Sequence, residues 1–112
     1  MVERTRMLHI SPPDVAWLVI MKGGRRGRDF RMEQVTNIGR DAMRNDVILD
    51  DDAVSAEHAR IKLERKRFVL YDLASSNGTF VNKEKIEKRA LDDGDEITIG
   101  ETTFVFKVAK SK

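Results

Sequence analysis

The sequence predicts an all-β fold, namely a two-sheet antiparallel β-sandwich. Short apolar segments alternate with turn signals along most of the chain, and no window places apolar residues at i, i+3, i+4 and i+7, as an amphipathic helix would. Many short strands between regular turns are typical of sandwiches. The chain has 112 residues, of which 40% are hydrophobic, so it is long enough for one such domain with its own core.

In chain order, the predicted strands cover residues 16–21, 30–35, 47–49, 59–64, 67–71, 79–81, 96–99 and 102–108. The strand at 59–64 is the clearest, because Ala59, Ile61 and Leu63 alternate with charged residues, as in a strand with one buried face. The segment 30–35 contains a break in its alternation. Turns between strands are expected at Arg65-Lys66, Asn77-Gly78 and Gly100-Glu101.

We assign residues 15–108 to the sandwich. Residues 1–14 have no strand pattern and include Pro12-Pro13, so they are predicted to be a flexible arm, and residues 109–112 a C-terminal tail or the start of a linker. The longest apolar run, at 15–21, is far shorter than the ~20 residues that cross a bilayer, and it lacks the context of a secretory signal. A cytoplasmic domain is therefore expected.

The composition excludes several kinds of site. The chain has no cysteine, so it has neither disulfides nor thiolate metal ligands. Its two histidines, His9 and His58, belong to no metal-ligand spacing. A net charge of +2 is too small to indicate a polyanionic partner by itself. No metal and no cofactor are predicted.

Four polar residues stand in predicted loops near turn-forming glycines: Arg40, Ser55, Ser76 and Asn77. Loops that meet at one end of the sandwich would join a guanidinium, two hydroxyls and a side-chain amide, a set that binds an oxyanion well. A hydrolase built on Ser55 and His58 is the enzymatic alternative. No carboxylate is evidently placed to orient His58, and no nucleophile-elbow motif occurs, so the residues favour a binding module over an enzyme.

Four short motifs follow one another along the chain: Gly39-Arg40, Ser55-x-x-His58, residues 76–79 (SNGT) and residues 94–100 (GDEITIG). In this order they resemble the forkhead-associated (FHA) family of phosphothreonine-peptide binding domains, over about residues 16–107. The resemblance implies an SMAD/FHA-like sandwich and a non-catalytic module for phosphorylation-dependent protein–protein interaction in Ser/Thr kinase signalling. Its partner would be a Thr-phosphorylated protein, such as a kinase or a kinase substrate. A module of the same fold that binds its partner without phosphate is the alternative.

The resemblance also implies which residues contact the ligand. Arg40 matches the phosphate-binding arginine, and Ser55 matches a serine whose hydroxyl and backbone N–H contact the phosphate. Ser76 matches a further phosphate contact. Asn77 matches an asparagine that hydrogen-bonds the peptide main chain near the phosphothreonine.

Four other residues match supporting positions of the family. Gly39 matches the glycine that lets its loop turn, and Gly78 belongs to the turn of the third motif. His58 matches a histidine that braces the loops from beneath without touching ligand. Asn82 is expected to support the neighbouring specificity loop.

The chain departs from the family pattern near these positions. Ala56 and Glu57 stand where many relatives carry Asn, Arg or Lys, and Lys83 stands where a glycine is common. The acidic triplet at residues 50–52 precedes Ser55, and we expect it to disfavour acidic residues next to the phosphothreonine.

Two minor alternatives concern other segments. Arg25, Arg26 and Arg28 form a basic turn that is the best nucleic-acid candidate, but the low net charge and the lack of interleaved aromatic residues favour a solvated turn. Thr5, once phosphorylated, would be a ligand for the domain's own site or for that of a neighbouring copy.

Overall fold

The computed structural model describes residues 14–110, and all helix or strand assigned in this range is β-strand. The strands are β1 (Val15–Lys22), β2 (Asp29–Arg31), β3 (Val35–Gly39), β4 (Val47–Ile48), β5 (Ala59–Glu64), β6 (Arg67–Asp72), β7 (Thr79–Val81), β8 (Glu84–Ile86), β9 (Lys88–Ala90), β10 (Glu96–Ile99) and β11 (Thr102–Ala109). The predicted all-β class is confirmed.

The strands form two sheets. One has six strands in the order β2-β1-β11-β10-β7-β8, and the other has five in the order β4-β3-β5-β6-β9. Neighbouring strands run antiparallel except β3 and β4, which pair in parallel through Ile38 and Val47. The predicted two-sheet sandwich is confirmed, with one parallel pair that the sequence did not indicate.

Alternating side chains of both sheets fill the core. Leu18 of β1 and Phe104 and Phe106 of β11 are fully buried, and β1 pairs with β11 along almost its whole length. Phe68 of β6 meets Phe106 edge to face, with ring centroids 5.7 Å apart. This contact joins the two sheets, because β6 and β11 belong to different ones.

Three strands, β3, β8 and β9, are missing from the sequence prediction. The segment predicted as one strand at 30–35 is in fact the end of β2 and the start of β3, which lie in different sheets, and the break in its alternation marks the crossing. β8 and β9 have three residues each and expose charged side chains such as Glu84 and Lys88. Their sequences show no alternation of apolar and polar residues that would predict a strand.

The predicted hairpin turn at Asn77-Gly78 is wrong. β6 and β7, the strands on either side of it, belong to different sheets and do not pair. Only Gly78 has a positive φ, at 92°, whereas the Asn-Gly hairpin turn needs positive φ at both residues. The segment instead carries the chain from one sheet to the other. The turns at Arg65-Lys66 and Gly100-Glu101 do join paired strands.

The arm predicted at residues 1–14 lies outside the described residues apart from Asp14, as do residues 111 and 112. β11 continues to Ala109, one residue past the expected end of the sandwich. Within residues 14–110, no helix is long and apolar enough to cross a membrane.

Candidate functional site

Three loops meet at one end of the five-stranded sheet. In chain order they are the β3–β4 loop (40–46), the β4–β5 loop (49–58) and the β6–β7 loop (73–78). Ala59 at the start of β5 pairs with Ile38 near the end of β3 and with Asp72 at the end of β6, which places the three loops side by side. All four residues expected to contact a ligand stand in these loops.

Arg40 is exposed at the start of the β3–β4 loop and is held at two atoms. Its backbone N–H donates to the carbonyl of Ser55 at 3.0 Å, and its side-chain Nε donates to the carbonyl of Val54 at 2.9 Å. Its two terminal nitrogens form no hydrogen bond with residues 14–110. Arg40 therefore keeps the part of its guanidinium that can bind two oxygens in parallel.

The structure brings Ser55 and Ser76 together. The backbone N–H of Ser76 donates to Ser55 Oγ at 3.0 Å. A hydroxyl that accepts one bond still has its own proton to donate, so Ser55 Oγ can serve a ligand as well. The backbone N–H of Ser55, in contrast, already has a partner within the chain, the Nδ1 atom of His58 at 3.1 Å.

Asn77 links the β6–β7 loop to the β4–β5 loop. Its side-chain Nδ2 donates to the carbonyl of Ala53 at 2.9 Å. The side chain is exposed, and its Oδ1 accepts no hydrogen bond from the described part of the chain. Asn77 therefore has an acceptor available for an N–H group of a bound peptide.

His58 lies beneath these loops and is fully buried. Because its Nδ1 accepts from the Ser55 backbone, its Nε2 carries the proton and donates to the carbonyl of Gly78 at 2.9 Å. His58 thus connects the β4–β5 loop to the β6–β7 loop. It makes no hydrogen bond to the Ser55 hydroxyl, so the Ser–base pair of a nucleophilic enzyme is not formed.

Gly39 is required for a close approach rather than for a turn, which corrects the expectation from the sequence. Its φ is not positive. A Cβ at this position would lie 2.4 Å from the carbonyl oxygen of Ala56 and 2.8 Å from side-chain atoms of Asn45. Asn45 occupies this space and donates from Nδ2 to the carbonyls of Asp41 and Ala56, each at 2.7 Å. Any side chain at Gly39 would push the two loops apart.

Asp72 organises the β6–β7 loop from its first residue. Its carboxylate accepts hydrogen bonds from the backbone N–H and hydroxyl of Ser75 and from the hydroxyl of Thr79, and Ser75 Oγ in turn accepts from the N–H of Gly78. Burial alone would raise the pKa of Asp72, but these hydrogen bonds outweigh it and lower the pKa below the ordinary value of 3.8. The loop that carries Ser76 and Asn77 is therefore built around an ionised carboxylate.

Asp51 holds the β4–β5 loop against the β10–β11 turn. Its carboxylate accepts from the backbone N–H groups of Glu101, at 2.7 Å, and Ala53, at 2.8 Å. The bond from Glu101, followed by the one from Ala53, lowers the pKa of Asp51 below 3.8. Gly100 leaves room for this contact, since a Cβ there would lie 2.5 Å from Asp51 Oδ2.

Sequence reasoning missed Asn45, Asp51 and Asp72 as organising residues. Asp72 had a local signal, because an Asp three positions before a Ser is a frequent turn arrangement. Asp51 had none, since its partner Glu101 is 50 positions away.

Glu57 is engaged within the chain. It forms an ion pair with Arg44 of the β3–β4 loop, with Arg44 Nη1 3.0 Å from Glu57 Oε2. Arg44 also lies 3.5 Å from Asp41. Of the two departures from the family pattern in the β4–β5 loop, Glu57 thus contacts the β3–β4 loop through its side chain, whereas the contact at Ala56 is made by its backbone carbonyl.

Asn82 lies outside the three loops that hold the other candidate residues. It stands in the turn between β7 and β8, at the far end of β7 from Asn77. Its side chain donates to Asp95 at 3.0 Å and accepts from the N–H of Glu96 at 2.9 Å. Asn82 therefore braces the turn that leads into β10, and its support of a specificity loop stays a prediction.

The basic turn between β1 and β2 borders a cleft of about 580 Å³. Arg25 and Arg28 share its lining with three carboxylates, those of Asp46, Asp50 and Asp51. These charges give the lining an excess of one negative charge, which counts against a nucleic-acid contact here.

Comparison with known proteins adds to this geometry. A family model described as the FHA domain matches residues 36–100. The glycogen accumulation regulator GarA of Mycobacterium tuberculosis is 41% identical over 96 residues, which cover 85% of this chain and 59% of GarA. The chain thus spans about three fifths of the length of this curated relative.

Two solved structures have the same fold. An FHA domain, solved for a structural and functional analysis of phosphothreonine-dependent FHA domain interactions, has a TM-score of 0.77 and 28% identity, over 87% of this chain and 98% of its own. Mycobacterium tuberculosis EmbR, in complex with a low-affinity phosphopeptide, has a TM-score of 0.79 and 36% identity, over 88% of this chain and 25% of its own.

Proposed function

Because this chain belongs to the FHA domain family, we propose that it binds Thr-phosphorylated segments of partner proteins and so makes their association depend on a Ser/Thr kinase. Membership in the family confirms the resemblance seen in the sequence and makes the chain a binding domain rather than an enzyme. One observation carries the proposal. The terminal nitrogens of Arg40, which have no hydrogen-bond partner among residues 14–110, lie in the same loop cluster as the Ser55 hydroxyl and the side-chain Oδ1 of Asn77.

These residues divide the recognition of a phosphothreonine peptide among them. The phosphate carries about −1.5 to −2 charges at pH 7 and three acceptor oxygens. Arg40 supplies two charge-assisted bonds, and the hydroxyls of Ser55 and Ser76 donate to the remaining oxygens. Asn77 Oδ1 accepts from a peptide N–H and so sets the register of the chain beside the phosphate. The buried His58 and the half-buried Asp72 hold the loops in place, which lowers the entropy cost of binding.

The finer partner assignments belong to the same proposal. Phosphopeptide binding in the similar EmbR structure supports a phosphorylated partner for this chain. The partner includes, in our proposal, a phosphorylated Thr5 of this chain or of a second copy. Thr5 lies outside the described residues. We place the protein in the cytoplasm, where kinases have access to ATP; fractionation of cells tests this.

Fluorescence anisotropy with labelled phosphothreonine peptides tests the function, with unphosphorylated and phosphoserine peptides as controls. Arg40→Ala is expected to weaken binding by roughly tenfold to several hundredfold, because charge-assisted bonds contribute about 1.5–3 kcal/mol each. Arg44→Ala is the matched control, since its guanidinium already pairs with Glu57. Equal affinity for phosphorylated and plain peptides would overturn the proposal. Removal of residues 1–14 tests the role of Thr5. If phosphorylated Thr5 occupies the site, it competes with the peptide, so the kinase-treated protein should bind peptide more tightly once these residues are removed.

A further inference from the structure

The outward face of the five-stranded sheet carries an ordered group of positive charges. Register places Arg60 of β5 opposite Tyr71 of β6, and Tyr71 opposite Lys88 of β9, so these three residues form a row across the strands. Lys62 lies two residues from Arg60 on the same face of β5. We call Arg60, Lys62, Tyr71 and Lys88 the cationic face. Adjacent strands are about 4.8 Å apart, so the row from Arg60 to Lys88 spans about 10 Å.

The cations of this face are held in position. Lys62 Nζ and Lys88 Nζ lie 5.8 and 5.5 Å from the centre of the Tyr71 ring, within the range of a cation–π contact. Arg60 Nε donates to Asn37 Oδ1 at 2.7 Å. Side chains that are already ordered lose less entropy on binding than free surface lysines do.

Few of these charges are neutralised within the chain. Among residues 14–110, Arg60 and Lys88 have no carboxylate within ion-pair distance, and Lys62 has one at 3.8 Å, that of Glu64. Glu64 also accepts the Tyr71 hydroxyl at 2.6 Å, and this hydrogen bond raises the pKa of Tyr71. The face therefore presents a surplus of positive charge around a neutral phenol.

Apolar residues flank Lys62 in the neighbouring row of the outward face. Val35, Val69 and Ala90 share the outward face with Lys62, because Val35 pairs with Lys62, Lys62 with Val69, and Val69 with Ala90. Val35 is 45% exposed and Ala90 is exposed, whereas Val69 between them is only 7% exposed. The two rows are two residues apart along the strands, or about 7 Å. A ligand that combines carboxylates with an aliphatic side chain fits this face, with the carboxylates at the cations and the aliphatic side chain against the exposed Val35 or Ala90.

Carboxylates border the face and limit the size of its ligand. Glu64 lies at one side, Asp46 contacts Asn37 at another, and Asp92 pairs with Arg67 at 3.0 Å. A nucleic-acid backbone, which carries a phosphate at every step, would run over these negative charges. A short acidic peptide segment would not.

The cationic face is continuous with the loops that form the candidate phosphothreonine site. Arg60 is two residues after His58, Tyr71 immediately precedes Asp72, and Asn37 is three residues before Arg40. A peptide held at Arg40 therefore needs only a few extended residues to reach the face, at about 3.3 Å per residue.

We propose that the cationic face binds an acidic segment, with an aliphatic side chain, of the same phosphorylated partner, several residues away from the phosphothreonine. This inference rests on the proposed phosphothreonine function. The inference also predicts where the partner carries its acidic residues relative to the phosphothreonine. Asp50 and Asp52 repel them beside the phosphothreonine, whereas Arg60, Lys62 and Lys88 attract them farther along the chain.

The test uses a phosphothreonine peptide extended, on either side and through spacers of three to six Gly/Ser residues, by the tail Glu-Glu-Leu-Glu or its neutral counterpart Gln-Gln-Leu-Gln. The Glu tail at a suitable spacing is expected to raise affinity about tenfold over the Gln tail at low salt. The double variant Lys62→Gln/Lys88→Gln should lose this advantage. Arg65→Gln/Lys66→Gln, which removes the same charge at the far turn of the β5–β6 hairpin, should retain it.

The outcomes separate this inference from the phosphothreonine function. If the Glu tail gives no advantage at any spacing, or an advantage that survives Lys62→Gln/Lys88→Gln, the acidic-segment site is overturned while the short phosphopeptide still binds. The Glu-tail peptide could instead bind equally well with and without its phosphate, and lose this binding to the variant Lys62→Gln/Lys88→Gln. In that case the acidic-segment site stands and the phosphothreonine function fails. A twelve-nucleotide single strand that binds the face more tightly than the Glu tail would overturn the inference in favour of nucleic acid.

Discussion

His58 illustrates, at the scale of one residue, how a buried polar side chain prepares a surface site. It accepts from the backbone of Ser55 and donates to the carbonyl of Gly78, so one imidazole satisfies two groups in two loops. Without His58, the buried Gly78 carbonyl and the half-buried Ser55 N–H would both lack this partner, and an unpaired buried group costs about 1–3 kcal/mol. The serine and the histidine of this segment are therefore connected through the backbone and not through the hydroxyl.

His58→Ala should lower the free energy of unfolding by about 2–4 kcal/mol, because it leaves a cavity and two unpaired backbone groups. Urea denaturation measures this change. Ser55→Ala is the comparison: it should reduce phosphopeptide affinity with a smaller loss of stability, since Ser55 is only half-buried. A His58→Ala protein of unchanged stability that no longer binds peptide would contradict the bracing role.

At the scale of elements, two hairpin turns place non-glycine residues at positive φ. The β5–β6 turn has φ values of 50° and 69° at Arg65 and Lys66, and the β7–β8 turn has 50° and 73° at Asn82 and Lys83. Positive φ at both central residues defines a turn that favours Asn-Gly. Asn82 matches the Asn preferred at the first position of this turn, whereas Lys83 stands at the second position, where glycine is preferred. The side chain of Asn82 also donates to Asp95. The absence of the common glycine at 83 thus leaves the turn type intact and adds strain.

Lys83→Gly is expected to raise the free energy of unfolding by about 0.5–1 kcal/mol, because glycine adopts positive φ without a steric penalty. Lys85→Gly, in strand β8 of the same hairpin, serves as the control and should be destabilising by a similar amount. Thermal or urea unfolding of the two variants gives the comparison. If both changes destabilise equally, the β7–β8 turn carries no strain at Lys83.

At the scale of the whole molecule, two ionised carboxylates tie the binding loops to the sandwich. Asp72 holds the β6–β7 loop, and Asp51 joins the β4–β5 loop to the β10–β11 turn. In both cases hydrogen bonds to the carboxylate lower its pKa below 3.8 in the folded protein. The unfolded chain, whose carboxylates titrate near the ordinary value, therefore binds more protons than the folded one in acid.

This difference predicts the direction of the pH dependence. The stabilisation by Asp51 and Asp72 is fully present above the ordinary value of 3.8 and is lost as the pH falls through the lower pKa values of the folded state. Stability should therefore drop steeply below about pH 4 and depend little on these two groups above about pH 5. Asp72→Asn should lower stability at neutral pH by about 1–3 kcal/mol and flatten the acid limb. A wild-type acid limb that Asp72→Asn leaves unchanged would rule out this role for Asp72.

The sequence by itself determined the strand-rich class, the positions of most strands and the motifs that carry the ligand-contact residues. These features are local. Alternation appears within six residues, as at Ala59, Ile61 and Leu63, and each motif is a few residues long. The interpretation of Arg40, Ser55 and Asn77 as a set came from the order of the motifs, because no single one of them is specific.

Only the tertiary structure decided how distant segments meet. Gly39 is needed because Ala56 and Asn45 approach it, Asp51 acts on Glu101 across 50 positions, and the segment at Asn77-Gly78 crosses between sheets. The cationic face likewise exists only because register brings residues of β5, β6 and β9 into one row. Contacts of this kind depend on which strands pair and in which register, and those choices are made by burial of the whole core rather than by local pattern.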